Sequence, residues 1–260
     1  MEQLISLSLE ELLKIKVTSS TLMDETIRSA PSSVSIVTKE DIRLLNANRL
    51  TEIVNLVPGF QSYRLDANGQ QYAITSRGRR LGTSGIETLI LIDGQRLNSD
   101  FGGGSNLHNG YISLDNIERV EFIRGPGSAI YGSNAFLGVI NLVTGTANAV
   151  SIGTGSHQYH KGAIQWAAST LNSEFTVFAK QDSSRGENQQ LFNATTGLFE
   201  RSRDPALNSE ASVKWQWHDL TLTTRWADRK IEKNFIQGFV ADQHNFKHSN
   251  TFFVNLLYQR

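Results

Sequence analysis

In the last third of the chain, apolar and polar side chains take turns. Val213, Trp215 and Trp217 alternate with Ser212, Lys214, Gln216 and His218. After a turn at Asp219, Leu220, Leu222 and Trp226 alternate with Thr221, Thr223 and Arg225. Phe175, Val177 and Ala179 line a third such face, and Phe252, Val254, Leu256 and Tyr258 a fourth. A period of two belongs to a β-strand, whose successive side chains leave opposite faces of the sheet. Segments of roughly ten residues with one apolar and one polar face suit strands that cross a membrane as a barrel. A soluble antiparallel sheet with one wet face gives the same alternation, so periodicity alone leaves both readings open. A spanning helix is excluded, because no run of about 18 apolar residues occurs. Residues 4–15 are broken by Glu10, Glu11 and Lys14, unlike the apolar core of a signal peptide. About six strand-like segments follow residue 144, and the polar stretch 183–208 between two of them reads as a long surface loop.

Composition narrows the function. The 260 residues suffice for one or two domains with a real core. Apolar residues are 39% and charged residues 19%, both low for a compact soluble enzyme. Lys plus Arg and Asp plus Glu are 25 each, so there is no basic surplus to hold nucleic acid. The absence of Cys rules out disulfides and thiolate metal sites. No nucleophile elbow, HExxH run or recognisable carboxylate pair appears, so neither catalytic residues nor a cofactor is expected. His157 and His160 are three apart, which on a strand puts them on opposite faces. His244 and His248 fall in a loop-like stretch, and neither pair is read as a metal site.

The first 144 residues have a different texture. Ser8 and Glu11 form a capping-box pattern ahead of a short amphipathic helix. Residues 33–37 alternate as a strand, and Thr38 with Asp41 three residues on should cap a helix. A second helix is expected over about 49–56, stopped by Pro58 and Gly59. Residues 72–76 and 88–92 read as strands, and Asp93-Gly94 as a tight hairpin turn. The three glycines between Phe101 and Ser105 read as a flexible loop. Residues 119–124 and 137–143 read as strands joined by a glycine-rich turn at Gly125, Pro126, Gly127 and Gly132. That turn lacks the Gly-Lys-Ser/Thr ending of a phosphate loop, so its role is structural.

The order of motifs from residue 28 to 144 resembles the plug of the TonB-dependent outer-membrane receptors. Ala30-Pro31-Ser32-Ser33-Val34-Ser35-Ile36-Val37-Thr38-Lys39-Glu40-Asp41-Ile42 resembles the family's first strand and helix. Val57-Pro58-Gly59 resembles the stop of its second helix, and Thr75-Ser76-Arg77-Gly78 its arginine–glycine strand. Leu91-Ile92-Asp93-Gly94 resembles its central hairpin. The most specific pieces are Ile117-Glu118-Arg119-Val120-Glu121 and Arg124-Gly125-Pro126-Gly127-Ser128-Ala129-Ile130-Tyr131-Gly132, closed by Gly138-Val139-Ile140-Asn141. The resemblance implies an α+β plug domain, a small mixed sheet with short helices, followed by antiparallel transmembrane β-barrel strands. Residues 1–27 would be a periplasmic segment, 28–146 the plug and 147–260 the first barrel strands. The family's barrel has 22 strands, and an open sheet in lipid leaves unpaired edges. The barrel is therefore expected to be incomplete in this chain, as in a piece of a longer receptor or the product of a broken or split gene.

The same resemblance implies gated, energy-coupled uptake of a scarce substrate such as an iron–siderophore complex. The partners would be TonB with its ExbB–ExbD energising complex, outer-membrane lipid and a small-molecule chelate, with no nucleic acid. Lys16, Val17, Thr18, Ser19 and Ser20 lie where the TonB box would lie, a segment that adds as a strand to its partner. They carry fewer β-branched residues than the commonest box and no acidic lead, and a plain linker is the alternative. Arg77 and Arg124, with Glu121 near, resemble the plug side of a latch to barrel carboxylates. A planar guanidinium fork suits reversible pairing there; an ion pair inside the plug, with Glu121 or Glu118, is the alternative. Tyr63, Arg64 and Asp66 fall in one plug loop, and Asn98, Asp100, Phe101, Asn106 and His108 in another. In the family, loops at these places face substrate. A soluble periplasmic binding or signalling module, with the last third as a β-sandwich, is the rival reading. The direction in which Trp215, Trp217 and Trp226 face separates the two.

Overall fold

A computed structural model describes residues 16–17, 25–26, 33–64, 72–79, 86–97, 112–125, 131–232, 235–236, 239–240 and 246–258. The expected helix after Ser8, the loop at 101–105 and the candidates Thr18, Ser19, Ser20, Asp66, Asn98, Asp100, Phe101, Asn106, His108, Pro126, Gly127 and His244 lie outside the described residues. The chain divides into two units, one ending at Thr144 and one beginning at Gly145, with residues 64–71 grouped with the second.

In the first unit, two short strands, β1 (Lys16–Val17) and β2 (Glu25–Thr26), pair antiparallel. β3 (Ser33–Thr38) leads into α1 (Lys39–Leu44) and then α2 (Leu50–Val54). β4 (Phe60–Arg64) pairs with β5 (Tyr72–Ser76). β6 (Thr88–Ile92), β7 (Gln95–Arg96), β8 (Ile117–Arg124) and β9 (Gly138–Thr144) join β3 in a sheet of order β3-β8-β9-β6-β7. The sheet is mixed: β6 and β9 run parallel, the other neighbours antiparallel.

Sequence chemistry accounts for these elements. The Thr38 hydroxyl accepts from the Asp41 amide at 3.2 Å, while Asp41 Oδ2 accepts from the Thr38 amide at 2.8 Å, so both halves of the capping box are made. Thr38→Ala is expected to cost about 1 kcal/mol of stability, read as a lower urea midpoint for this unit. α2 is shorter than the expected 49–56. Leu56 and Val57 bond back three residues, to Ile53 and Val54, a tightening that ends an α-helix. Asn55 then holds Ser62 by amide and carbonyl, at 2.7 and 3.1 Å. Gly59, at φ +88, supplies the left-handed turn that glycine takes freely. Asp93 and Gly94, at φ 47 and 77, join β6 to β7 with two residues, as a type I′ hairpin requires.

Both faces of the sheet are covered. Ile42, Leu50, Ile53, Val54 and Val57 from the helices pack with Ile90, Ile92, Val120, Phe122, Ile140 and Leu142. Leu89, Leu91, Ile123, Ala135 and Val139 form a second cluster, with Val34 and Tyr131 against it. β6 is buried at every position, which explains its unbroken apolar run.

The second unit is a six-stranded sheet whose neighbours are all antiparallel. Its strands are β10 (Ala149–Gly155), β11 (Tyr159–Ser169), β12 (Ser173–Ser184), β15 (Ala206–Trp217), β16 (Leu220–Glu232) and β19 (Phe246–Tyr258), in that order. Two small hairpins sit in its longer connections: β13 (Gln189–Asn193) with β14 (Leu198–Ser202), and β17 (Phe235–Ile236) with β18 (Phe239–Val240). The sheet is open, with β10 and β19 as its edges.

Three expectations are corrected here. The loop read as 183–208 is shorter, because β12 runs to Ser184 and β15 begins at Ala206. It is also partly a hairpin, since Phe192 and Phe199 pair across it. His157 is not on a strand: it sits at φ 56 in the turn between β10 and β11, while His160 belongs to β11. His248 lies in β19 rather than a loop, with its Nε2 2.6 Å from Asp228 Oδ1.

Candidate functional site

Three arrangements in these units carry chemistry. The first is a corner where Arg124, at the end of β8, reaches across to Ser33. Its Nε and Nη2 donate to the Ser33 hydroxyl at 3.1 and 2.8 Å, and its Nη1 donates to the Pro58 carbonyl at 2.9 Å. The Gly59 carbonyl accepts from the Arg77 amide at 2.8 Å and the Ser76 hydroxyl at 3.1 Å. Arg77 adopts φ 56. Its guanidinium lies beside Gly125, where an added Cβ would be 3.4 Å from Nη2. Among the described residues, neither arginine pairs with a carboxylate.

The second is a polar seam buried in the plug sheet. Glu121 is fully buried, with Oε1 2.8 Å from Arg119 Nε and Oε2 accepting from Asn141 Nδ2 at 3.2 Å. Asn141 Oδ1 accepts in turn from the Gly94 amide at 3.4 Å. Asp93 holds Thr144 through its amide at 2.9 Å and its hydroxyl at 2.6 Å. The seam therefore ties β8, β9 and the β6–β7 hairpin together. Beside it, Arg96 grips residues 131–134, donating to Ser133 Oγ, Asn134 Oδ1 and the carbonyls of Tyr131 and Ser133 at 2.9–3.1 Å. Burial, reinforced by the Glu121 charge, pushes the Tyr131 phenol up to about 12 from the usual 10. Because the folded value is raised, the stability this group contributes is complete below pH 10 and lost as pH rises towards 12. A spectrophotometric titration of the folded protein should leave the Tyr131 phenolate unformed at pH 10, and Tyr131→Phe should remove the transition near 12.

The third is the pair of faces on the six-stranded sheet. Register places Val150 and Ile152 of β10, Ile164 and Trp166 of β11, and Phe175 and Val177 of β12 on one side. Val213, Trp215 and Trp217 continue that side on β15, as do Leu222 and Trp226 on β16 and Phe252, Val254, Leu256 and Tyr258 on β19. Ile152 is 84% exposed and Phe252 67%. All four tryptophans of the chain stand on this face. Six strands of contiguous exposed apolar surface far exceed what a water-facing sheet carries. The opposite face carries buried polar and charged side chains. Lys180 Nζ lies 3.2 Å from Asp182 Oδ1, Asn208 donates to Asp182 at 2.9 Å, and Arg225 pairs with Glu210. An apolar outer band over a polar inner face is the wall of a membrane barrel.

Of the sequence candidates, Arg77 and Arg124 meet at one corner, while Glu121 belongs to the separate seam, where Arg119 and not Arg124 is its partner. Tyr63 and Arg64 lie in β4 rather than in a loop. Gly125 and Gly132 take φ +114 and +71. Sequence reasoning missed Ser33, Arg96, Arg119 and Asn141, and the inner-face charges. The latter had a signal: Lys180 and Asp182, like Asn208 and Glu210, sit at alternate positions, on the side opposite the aromatics.

A sheet with an apolar outer face and a polar inner one defines a class, the outer-membrane β-barrel proteins, and comparison with known proteins gives the family. Residues 26–139 match the model of the TonB-dependent receptor plug domain. The chain is 41% identical over 120 residues to the vitamin B12 transporter BtuB of Vibrio vulnificus strain YJ016, covering 46% of this chain and 19% of that protein. It is 30% identical over 204 residues to BtuB of strain CMCP6, covering 71% and 32%. It superimposes on the ferripyoverdine receptor of the outer membrane of Pseudomonas aeruginosa at TM-score 0.66 and 16% identity, over 93% of this chain and 34% of that one. A mutant of the ferric enterobactin receptor PfeA from the same species gives TM-score 0.64 at 20% identity, over 90% and 39%. Residues 26–139 thus carry the plug domain of the TonB-dependent receptors, a family of outer-membrane proteins, and the chain spans about a third or less of the length of the curated relatives it matches. No helix among the described residues is long and apolar enough to cross a membrane.

Proposed function

We propose that this chain is the N-terminal part of an outer-membrane receptor for TonB-coupled uptake, and that its cargo is a corrinoid of the vitamin B12 type. The observation that carries the transport reading is the joining, in one chain, of a plug held by a polar seam to a sheet with an unbroken apolar outer face. The cargo rests on the 41% identity over 120 residues to a vitamin B12 transporter. The sequence-based expectation of an iron–siderophore cargo draws only on fold likeness, at 16% and 20% identity.

In this reading residues 1–27 are the periplasmic segment, 28–146 the plug and 147–260 barrel strands. Lys16 to Ser20 serve as the TonB box. Lys16–Val17 is already extended and paired with Glu25–Thr26, the backbone form that strand addition needs. Arg77 is the arm of the latch, since its guanidinium has no hydrogen-bond or ion-pair partner among the described residues, while Arg124 and Glu121 spend their polar groups within the plug. Tyr63, Arg64, Asp66, Asn98, Asp100, Phe101, Asn106 and His108 contact cargo from the plug side. At one end of the sheet the connections, 170–172 and 218–219, are both short, and at the other 185–205 and 233–245 are long beside the short 156–158, a pattern that supports short turns in the periplasm and long loops outside.

The test is uptake in cells lacking their own cobalamin receptor, supplied with the receptor that carries this sequence. Labelled cyanocobalamin should accumulate when TonB is present and not when it is deleted. Accumulation of ferric chelates instead would overturn the cargo, and uptake indifferent to TonB would overturn the coupling.

A further inference from the structure

We propose that Arg124 is a clasp that bears the first load when the plug is drawn from its N-terminal side, and that it passes that load to the Arg77 corner. The inference rests on the transport reading above, in which the pull arrives through the N-terminal segment. β3 is the edge strand of its sheet, held by the single ladder to β8. Traction at its N-terminal end breaks that ladder one pair at a time, beginning with Ser33↔Arg124. That first pair is doubled by side-chain bonding, because the Ser33 hydroxyl accepts from both Nε and Nη2 of Arg124. Hydrogen bonds from a charged donor are about twice as strong as neutral ones, so the opening step meets its highest local resistance where the load enters.

The clasp also has a second attachment. The same guanidinium holds the Pro58 carbonyl at 2.9 Å, and its stem lies so close to Gly59 that an added Cβ would meet Arg124 Cδ at 3.3 Å. Gly59 in turn accepts from Arg77. Ser33, Arg124, Pro58-Gly59 and Arg77 thus form one contiguous path within the plug. The partners of Arg124 along it are neutral. Withdrawal of Ser33 therefore frees the Nε and Nη2 side of the guanidinium, leaving the cation held at Pro58 alone. The order follows: the clasp opens first, and the charge at the latch corner changes only afterwards.

The experiment pulls the receptor carrying this sequence, reconstituted in a bilayer, by an N-terminal handle at constant force without cargo or TonB. Ser33→Ala removes the acceptor and keeps the backbone pair, and Arg124→Gln removes the fork. Once the two-pair β1–β2 ladder has opened, each should speed the first rupture of the β3–β8 ladder about tenfold, equivalent to about 1.4 kcal/mol. The double variant should be no faster than Arg124→Gln alone, since the contact that Ser33→Ala removes is already gone there. Gly59→Ala, which crowds Arg124 without removing a polar group, should act in the same direction. A first rupture at the wild-type rate in Ser33→Ala, or effects of the two substitutions that simply add, would overturn the clasp. Rupture is read without transport. A failed uptake assay therefore sinks the transport reading and leaves the clasp standing, whereas unchanged rupture with intact uptake sinks the clasp alone.

Discussion

Replacing Glu121 with alanine should destabilise the plug by about 3 kcal/mol, the lower end of what breaking a buried ion pair costs. The carboxylate is fully buried and holds Arg119 on one oxygen and Asn141 on the other. Truncation leaves both donors without their acceptor, and an orphaned buried polar group bears its full desolvation cost. The lower end applies because the Arg119 side chain is 25% exposed, so water can reach part of its charge. The damage should spread along the seam to Gly94, which depends on Asn141 being held in place. Glu121→Gln keeps an acceptor for either neighbour and should lose about 1 kcal/mol. Urea unfolding followed by a plug-specific probe measures both, and an unchanged midpoint in Glu121→Ala would show that the seam does not hold the sheet.

The second large effect lies on the other unit. Val254 is 57% exposed in the middle of the apolar face, paired with Thr224 of β16. If that face meets hydrocarbon, arginine there should cost about 2–4 kcal/mol, the range for a cation near the bilayer midplane. Asn250 is four residues earlier on the same side of β19, beside Asp228 and His248, beyond the aromatic Phe252. Arginine at 250 sits at the polar border and should cost about 0–1 kcal/mol. The inserted fraction after refolding into lipid vesicles separates the two variants. Equal behaviour at both positions would mean that the apolar face does not sit in lipid.

Much of the fold was legible because its signals are local. Strands 72–76 and 88–92, the Thr38–Asp41 cap and the Asp93-Gly94 turn each depend on a few neighbouring residues, and the structure has them where the sequence puts them. The six-strand count was legible because alternation repeats. What the sequence withheld depends on long-range register. Arg124 could have been assigned to Glu121 or Glu118 on one-dimensional grounds, but β3 pairing places Ser33 opposite it, 91 residues away in sequence. Asn141 meets Glu121 for the same reason, through the β8–β9 register. The hairpin within 185–205 was hidden because Leu191-Phe192 and Leu198-Phe199 put two apolar residues side by side, which breaks the period-two alternation.

The four tryptophans give the most direct check on the central claim, that a TonB-dependent plug here leads into a lipid-facing wall. Trp166, Trp215, Trp217 and Trp226 share the exposed apolar face, and no tryptophan lies elsewhere. Fluorescence in vesicles with brominated acyl chains should be strongly quenched, while aqueous iodide should have little effect. Strong quenching by iodide with none by brominated lipid would contradict the account, placing that face in water or against another protein surface.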